Sequence, residues 1–271
     1  MPELPEIETA RRGIQPYLRG HRVTKVKIRN RRLRWPVPHT LVEMLPGQRI
    51  QAVTRRGKYL LLHTAAGTAI LHLGMSGSLR VLPAETAAGK HDHLDIVLDS
   101  GRALRLHDPR RFGTLLWTTR DPARHKLLRS LGPEPLANGF DGNYLFEKSR
   151  SRTLAVKNFI MNSRIVVGVG NIYASEALFM ARIHPERSAG RLGRERYIAL
   201  AKAIRKILSA AIRAGGTTLR DFTREDGRPG YFRQHLRVYG RKGRACRRCV
   251  HRIAARVTGQ RTTYYCPHCQ T

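Results

Sequence analysis

Four cysteines near the carboxyl end constrain the fold of this chain more than any other feature. They form two Cys-x-x-Cys pairs, Cys246 with Cys249 and Cys266 with Cys269, and 16 residues separate the two pairs. This is the spacing of a zinc ribbon, in which two short knuckles supply four thiolates to one ion. Because four sulfur ligands fill a tetrahedral shell, the sequence predicts one structural zinc ion and no open catalytic position on it.

Disulfide bonds between these cysteines are the alternative, and they require an oxidising compartment. The acidic opening MPELPEIE lacks the charged and then apolar layout of a secretory signal peptide, so we expect a cytoplasmic protein. No apolar stretch of the sequence approaches the roughly 20 residues of a membrane span, so no membrane is expected as a partner. The knuckle spacing and the expected compartment both favour metal over disulfides.

The charge of the chain indicates a polyanionic partner. Fifty-one Lys and Arg residues against 19 Asp and Glu residues give a formal net charge of +32. A field of this sign attracts polyanions, and without a membrane-spanning stretch the expected partner is nucleic acid. A length of 271 residues with 41% hydrophobic residues allows two domains and a small appendage.

Hydrophobic periodicity predicts a strand-rich first part of the chain. A three-four spacing of apolar residues predicts an amphipathic helix from about Pro5 towards Gly20. Short apolar runs separated by glycine-bearing turns then predict a sandwich of antiparallel sheets. The predicted strands cover residues 23–28, 50–54, 59–63, 69–73, 79–82, 94–98 and 103–106.

The period becomes helical after about residue 150. Two helices are predicted, at about 172–182 and 197–212, and we expect a tight connection between them that gives a helix-turn-helix-like unit. The fold class is therefore α+β. The predicted domains are an N-terminal β-sandwich domain with a leading helix (1–133), a linker (134–150), a helical domain (151–235) and a zinc ribbon (236–271).

The amino end of the chain offers a nucleophile. If Met1 is removed, Pro2 carries a secondary α-amine, whose pKa is about 7.7–8.0 against about 10.4 for lysine. A useful fraction of this amine is neutral near pH 7 and can attack a sugar aldehyde carbon to form a Schiff base. Proline also suits the first turn of a helix, and this structural role is the alternative for Pro2 and Pro5.

Five motifs in one order along the chain resemble the formamidopyrimidine-DNA glycosylase (Fpg) family. They are PELPE at 2–6, HLGMSG at 72–77, DPRRFG at 108–113, GVGN at 168–171 and the terminal cysteine ribbon. Each motif is weak alone, but the five in this order are specific. The resemblance implies an N-terminal β-sandwich domain, a helix-two-turns-helix DNA-binding domain and a zinc finger.

The resemblance also implies an enzyme. It would be a bifunctional glycosylase and AP lyase that excises oxidised purines, 8-oxoguanine and formamidopyrimidines, from duplex DNA. The damaged nucleotide would be turned out of the duplex, because its glycosidic carbon is inaccessible in the stack. The strand would then be cut on both sides by β- and δ-elimination, with no small-molecule cofactor and with a monomeric protein.

The resemblance assigns four catalytic residues. Pro2 is the nucleophile that attacks C1′, and Glu3 is the general acid. Lys58 matches the lysine that donates the proton for β-elimination, although a solvated phosphate contact is the simpler interpretation of a lysine in a basic strand. Arg261 matches the arginine assigned to δ-elimination. Because the guanidinium pKa exceeds about 12, a role in clamping a phosphate suits Arg261 better than proton donation.

Three further residues match side chains that fill the gap left by the everted nucleotide: Met75, Arg110 and Phe112. An apolar wedge can replace lost stacking, and an arginine can hydrogen-bond the orphaned opposite base. Without the resemblance, Met75 and Phe112 would be interpreted as core residues.

Contacts to the DNA backbone are implied for His91, Arg152 and Asn171, with Arg110 as a further DNA-binding residue. Residues 217–231 resemble a loop that folds over 8-oxoguanine. One segment departs from the family pattern: where many relatives have an Asp, this chain reads Met161-Asn162-Ser163, so no carboxylate is present there.

Two other functions remain as alternatives. One is an endonuclease VIII-like glycosylase for oxidised pyrimidines, a branch that generally lacks the patterns at Met75 and at 108–113. The other is a DNA-binding zinc-ribbon protein without enzymatic activity, for which the charge alone would suffice.

Overall fold

The computed structural model describes residues 2–217 and 232–271, which fall into two compact units. The first unit contains residues 2–129 together with 215–217, and the second contains 130–214 together with 232–271. In the described part of the chain, no helix combines the length and the apolar character that crossing a membrane requires.

The first unit is a sandwich of two four-stranded antiparallel sheets. One sheet has the order β1-β6-β7-β5 and the other the order β2-β3-β4-β8. The strands are β1 (Val23–Ile28), β2 (Ala52–Arg56), β3 (Tyr59–His63), β4 (Thr68–His72), β5 (Ser78–Pro83), β6 (Asp92–Leu98), β7 (Arg102–His107) and β8 (Thr114–Thr118). One apolar cluster joins strands of both sheets, Ile96 of β6 and Leu62 of β3 among them. The predicted sandwich is confirmed, with β8 as a strand that the sequence analysis missed.

Helix α1 (Leu4–Leu18) precedes the sandwich and packs on its core. Ile7, Ile14 and Leu18 are fully buried in the same apolar cluster as the strands, so the three-four spacing marks the buried face. A short helix, α2 (His39–Met44), lies between β1 and β2 and buries Leu41.

The second unit begins with a helix inside the segment expected as a linker. Helix α3 (Gly142–Ser149) occupies the second half of 134–150. Asp141 caps it, because its side chain accepts a hydrogen bond from the Tyr144 N–H at 2.7 Å. The segment is therefore not an irregular connection throughout.

The helix pair around the glycine-bearing turn differs from the expected one. Helix α4 (Val156–Met161) and helix α5 (Asn171–Met180) flank two turns over residues 162–170. The predicted partner, α6 (Arg194–Arg213), is separated from α5 by residues 181–193, so the expected tight connection between them was wrong. Six residues of α4 are too few to show a helical period in the sequence.

The carboxyl-terminal segment is a two-stranded ribbon. Strand β9 (Ala254–Thr258) pairs with β10 (Arg261–Tyr265), and Gly259 and Gln260 form the turn between them. Both turn residues have positive φ, 57° and 61°, which is the requirement of a type I′ turn and matches the twist of the two strands. The turn places Arg261 at the first position of β10.

Candidate active site and metal centre

The first residues of the chain are buried at the start of α1. Pro2 is buried, and Glu3 and Glu6 are 3% and 2% exposed. Glu3 and Glu6 form a reciprocal capping box, in which the Glu3 N–H donates to Glu6 Oε2 at 2.9 Å. The capping box thus fixes the backbone at Glu3, next to Pro2.

Glu6 also holds a second segment of the first unit. Its other carboxylate oxygen, Oε1, accepts a hydrogen bond from the Thr217 N–H at 2.8 Å. A Cβ atom on Gly216, whose φ is +82°, would lie 3.2 Å from the same oxygen, so a side chain there would crowd the carboxylate. Thr217 begins the expected lesion loop, and residues 218–231 of that loop lie outside the described residues.

Lys58 lies in the turn between β2 and β3, near the end of β4. Its charge, with that of Arg34, acts on His72: burial is the main cause that lowers the pKa of His72 to about 4, and the two cations lower it further. His72 Nδ1 accepts a hydrogen bond from the Gly74 N–H at 3.0 Å. Its imidazole is therefore neutral at physiological pH, with the proton on Nε2. His72 belongs to the HLGMSG motif but was not predicted as a site residue from the sequence.

Met75, Arg110 and Phe112 are carried by two loops that Asp108 joins. Asp108 is fully buried. Its carboxylate accepts from the Ser76 hydroxyl at 3.1 Å and from the Gly113 N–H at 2.7 Å. Because Ser76 follows Met75 and Gly113 follows Phe112, one carboxylate fixes both loops.

The same two loops approach so closely that Gly74 admits no side chain. Its φ is +62°, and a Cβ atom there would lie 2.4 Å from the Phe112 carbonyl carbon. Met75 and Phe112 are 39% and 40% exposed, and the Arg110 guanidinium stacks over the Phe112 ring at 4.8 Å. The structure thus places these two apolar side chains at the surface and not in the core.

His91 is half-buried in a cluster of imidazoles. Its ring meets those of His93 and His107 edge-on, with centroids 6.5 and 5.9 Å apart. His107 Nδ1 lies 2.8 Å from a carboxylate oxygen of Asp92, which also accepts from Arg80 at 2.8 Å. His91 therefore lies beside a polar network of the first unit, where β6 begins and β7 ends.

In the second unit, a buried lysine joins the two-turn segment to the ribbon. Lys157 of α4 is fully buried and donates to Asn171 Oδ1 at 2.5 Å and to Thr263 Oγ1 at 2.6 Å. The Asn171 amide donates in turn to the Thr262 carbonyl at 3.0 Å. This network brings Asn171 beside the strand that carries the exposed Arg261. Lys157 was not predicted as a site residue from the sequence.

Arg152 and the Asn162 segment complete the expected sites of the second unit. Arg152 is exposed between α3 and α4, and its carbonyl accepts from the Gly190 N–H at 2.8 Å. In the segment Met161-Asn162-Ser163, Asn162 Oδ1 accepts a hydrogen bond from the Arg164 N–H at 3.0 Å. The neutral side-chain amide of Asn162 therefore stabilises this local turn.

The four cysteines converge at the end of the ribbon and form no disulfides. The Sγ atoms of Cys249 and Cys266 are 3.4 Å apart, and those of Cys246 and Cys269 are 4.0 Å apart. A tetrahedral zinc ion with Zn–S bonds of about 2.3 Å needs sulfur atoms about 3.8 Å apart. The cluster fits a metal ion of this kind.

Comparison with known proteins gives the same assignment over the whole chain. Residues 1–115 match the formamidopyrimidine-DNA glycosylase N-terminal domain, and residues 131–223 match the formamidopyrimidine-DNA glycosylase H2TH domain. The chain is 59% identical over 270 residues to the formamidopyrimidine-DNA glycosylase of Syntrophotalea carbinolica, with 100% of both chains covered.

Two solved structures share the fold and contain damaged DNA. An Fpg variant of Lactococcus lactis in complex with Fapy-dG DNA has a TM-score of 0.92 and 33% identity, with all of both chains covered. A MutM structure with DNA containing carbocyclic 8-oxo-G has a TM-score of 0.92 and 34% identity, also over all of both chains.

Proposed function

The chain belongs to the formamidopyrimidine-DNA glycosylase family and is a DNA glycosylase of base excision repair, and on that premise we propose that it excises oxidised purines from duplex DNA through Pro2 and then cuts the strand. The observation that carries this proposal is the pair Pro2 and Glu3, buried at the capped start of α1. The preference for 8-oxoguanine and formamidopyrimidines is supported by the lesions in the two similar structures.

In the proposed reaction, the neutral Pro2 nitrogen attacks C1′ as the N-glycosidic bond breaks, and the base leaves with the electron pair of that bond. The Pro2 nitrogen then loses its proton, and the C1′–O4′ bond of the sugar breaks, so that the ring opens and an iminium links Pro2 to C1′. Glu3 donates a proton to the sugar ring oxygen. Burial of Glu3 excludes water from this carboxyl, and the Glu6 hydrogen bond to the Glu3 N–H fixes the backbone between nucleophile and acid. Glu6 is thus a positioning residue.

In the elimination steps, Lys58 and Arg261 act on phosphates of the DNA strand that is cut. Lys58 adds to the positive field around the neutral His72, where a phosphate of the DNA would be stabilised. Arg261 clamps a phosphate as it leaves, because the Asn171 and Lys157 network holds its strand while its side chain stays exposed. His91, Arg152 and Asn171 contact the DNA backbone.

The exposed pair Met75 and Phe112 fills the gap of the everted nucleotide, and Arg110 pairs with the opposite base. An exposed apolar side chain on a strongly cationic protein becomes buried when it inserts between bases. Stacking of Arg110 on Phe112 already orders the guanidinium. This arrangement supports recognition of duplex DNA with an asymmetric lesion, for which a cytoplasmic monomer suffices.

We propose that the four cysteines hold one zinc ion with a structural role. Cys246 and Cys266 are 2% and 0% exposed, so these two thiolates are shielded from solvent, and the ion would brace the ribbon that presents Arg261. A closed four-sulfur shell has no position for substrate. Zinc therefore supplies stability to the ribbon and takes no step in the reaction.

Borohydride trapping tests the proposal. Correctly processed protein is incubated with an 8-oxoguanine:cytosine duplex and sodium borohydride, and the adduct is mapped by peptide mass analysis. We expect a covalent link at Pro2. Zinc-loaded protein that retains Met1 is the matched control, because an amide nitrogen cannot form the imine, and it should bind DNA without being trapped.

Two results would contradict the proposal. Normal excision by processed protein without an adduct at Pro2 would refute the nucleophile, and a non-enzymatic DNA-binding protein would give neither excision nor adduct. A strong preference for a thymine-glycol duplex over the 8-oxoguanine duplex would instead support the endonuclease VIII-like alternative.

A further inference from the structure

A pocket on the second unit takes no part in the reaction proposed above. It has a volume of about 400 Å³ and lies where helices α5 and α6 end beside the segment 232–237. All of its lining residues belong to the second unit, and none of them is assigned to the reaction or to DNA. The volume falls in the range of ligand sites, about 300–1,000 Å³. We call this cavity the α6 pocket, because residues 206–214 form one of its walls.

The floor of the α6 pocket is apolar. Ile207, Ala210 and Ala214 are spaced by three and four residues along α6 and its C-cap, so they share one face, and Met180 and Phe232 complete the floor. Ile207 and Phe232 are 4% and 3% exposed, which fixes these two walls, whereas the small alanines leave space between them. A ring that enters this space contacts both an aromatic ring and a thioether, which suits an aromatic side chain.

The rim of the α6 pocket is basic. Lys206 and Arg213 are exposed on α6 and seven residues apart, which places them about 10 Å apart along the helix axis. His235 and Arg237 stand on the other wall. No acidic side chain lines the pocket, and in the described part of the chain neither Lys206 nor Arg213 pairs with a carboxylate.

Other charges near the pocket do not cancel this rim. Helices α5 and α6 both end here, and each carbonyl end carries about half a negative charge. The Glu176 carboxylate is fully buried and accepts the backbone N–H groups of residues 237–239, so it is not offered to the pocket. The permanent cations Lys206, Arg213 and Arg237 exceed the helix ends in charge, and the pocket therefore favours an anionic ligand.

The distribution of the cations favours an extended ligand over a single small anion. One carboxylate or phosphate would pair with one wall and leave the cations of the other wall unpaired. An extended peptide advances about 3.3 Å per residue, so three or four residues span the distance between Lys206 and Arg213. Carboxylates on both sides of one aromatic residue would pair with the rim while the ring fills the floor.

The apolar floor also distinguishes a peptide from a nucleic acid. A nucleobase carries hydrogen-bonding groups on its edges, and an apolar floor would leave those groups without partners. The pocket lies, moreover, at the opposite end of α5 from Asn171, the expected contact to the DNA backbone. Asn171 is the first and Met180 the last residue of α5, which separates them by about 14 Å along the axis.

We propose that the α6 pocket is a docking site for an acidic segment of a partner protein, in which one aromatic side chain enters the apolar floor and the flanking carboxylates pair with the basic rim. Such a contact recruits or retains the protein beside its partner and supplies no group to the reaction. The proposal therefore does not depend on the glycosylase function.

Binding of a short acidic peptide tests this site. The probe is a fluorescein-labelled peptide with one phenylalanine between two runs of aspartate (DDDFDDD), and its anisotropy is followed as full-length, zinc-loaded protein is added without DNA. The matched peptide DDDSDDD keeps the charge and lacks the ring. We expect saturable binding of the first peptide, with an affinity at least about tenfold higher than that of the second, because only a ring fills the floor.

Variants locate the peptide. Lys206→Glu and Arg213→Glu reverse exposed charges of the rim and should each weaken binding of DDDFDDD by about fivefold or more. Ala210→Leu fills the floor without a change of charge and should reduce the affinity for DDDFDDD towards that for DDDSDDD. Lys148→Glu makes the same charge change on α3, outside the pocket, and should bind as the unaltered protein does. Thermal unfolding of each variant verifies that it is folded.

Several outcomes would overturn the proposal. Equal affinity for the two peptides would show that charge alone attracts them and that no ring enters the floor. Unchanged binding by folded Lys206→Glu and Arg213→Glu, or an equal loss in Lys148→Glu, would exclude the rim. A single-stranded oligonucleotide that displaces the peptide, and whose own affinity falls in the same rim variants, would assign the pocket to nucleic acid. Because the assay contains no lesion and no DNA duplex, a failure of the glycosylase proposal would not change its result.

Discussion

Val250 adopts a left-handed backbone conformation that valine rarely accepts. Its φ is +60°, directly after Cys249 of the four-cysteine cluster, and its side chain is 79% exposed, so no packing compensates for the strain. Glycine adopts this conformation without a steric cost. We expect Val250→Gly to stabilise the zinc-loaded protein by about 1 kcal/mol and to slow the loss of zinc to a chelator.

Val257 provides the matched control for this change. It is 75% exposed in strand β9, where the backbone is extended and glycine weakens the strand. Val257→Gly should therefore lower the midpoint of thermal unfolding, whereas Val250→Gly should raise it. Equal effects of the two substitutions would show that the left-handed conformation of Val250 carries no strain.

At the residue scale, Asp108 holds the two loops that carry Met75, Arg110 and Phe112. Asp108→Ala leaves the Gly113 N–H and the Ser76 hydroxyl without their acceptor, so the loops that carry Met75 and Phe112 should shift. We expect kcat/KM for excision from an 8-oxoguanine duplex to fall by about tenfold to a hundredfold, because small displacements are costly at reacting centres.

Cleavage of a single-stranded abasic oligonucleotide is the control substrate, because it has no opposing strand and no gap to fill. Asp108→Ala should cleave it almost normally, and Ser76→Ala, which removes one of the two hydrogen bonds, should show a smaller defect on the duplex. If both substrates were affected equally, the carboxylate of Asp108 would serve general stability and not the two loops.

At the scale of elements, Glu8 ties α1 to the sandwich. It is 8% exposed and pairs with Arg11 and Arg12 of its own helix and with Arg55 of β2. Burial alone raises the pKa of Glu8, but the arginines outweigh it and lower the pKa from 4.5 to about 2. The ionised form of the Glu8 carboxylate is therefore more stable in the folded protein than in the unfolded chain.

The sign of the resulting pH dependence follows from linkage. The contribution of Glu8 to stability is present above pH 4.5 and is lost as the pH falls from 4.5 towards 2. Glu8→Gln should therefore lower the free energy of unfolding in urea at pH 6 and reduce its decline between pH 5 and pH 3. Glu43→Gln, at an exposed glutamate of α2, should retain the full decline. An unchanged decline in Glu8→Gln would exclude the role of this carboxylate.

The Lys157 network joins α4, α5 and the ribbon. Lys157→Met keeps the length of the side chain but leaves Asn171 Oδ1 and Thr263 Oγ1 without their donor, at a cost of about 1–3 kcal/mol. We expect affinity for an abasic-site duplex to fall by about tenfold, with unchanged zinc content. Lys202→Met, at an exposed position of α6, should retain affinity; a matching loss there would indicate a general charge effect.

A feature could be predicted from the sequence when the residues that define it lie close together along the chain. Helix α1 and most strands were predictable because their apolar period is local, whereas α3, α4 and β8 are short and carry no clear period. Pro2, Glu3 and the cysteines were recognisable from motifs. Glu6 was not, because its partner Thr217 is 211 residues away and only the fold brings the two together.

At the scale of the whole molecule, the charge of +32 should govern binding to DNA of any sequence. Each phosphate that a cation neutralises releases counterions, so log K falls by about 0.9 per phosphate for each tenfold rise in salt. The measurement is the affinity for an undamaged duplex over a series of salt concentrations. We expect a steep, linear decline, and a flat response would mean that the basic surface does not face phosphates.

The contribution of one arginine to DNA binding can be separated from this general electrostatic attraction. Arg261 is exposed on the ribbon, and if it contacts a phosphate, Arg261→Ala should make the slope shallower by about 1. Arg261→Lys keeps the charge and should keep the slope, but it loses the two-pronged hydrogen bonding of a guanidinium. The lysine variant should therefore bind undamaged DNA with the same salt dependence and still be slower in the second elimination. A lysine variant with normal elimination would show that charge alone, and not the planar guanidinium, is what the leaving phosphate requires.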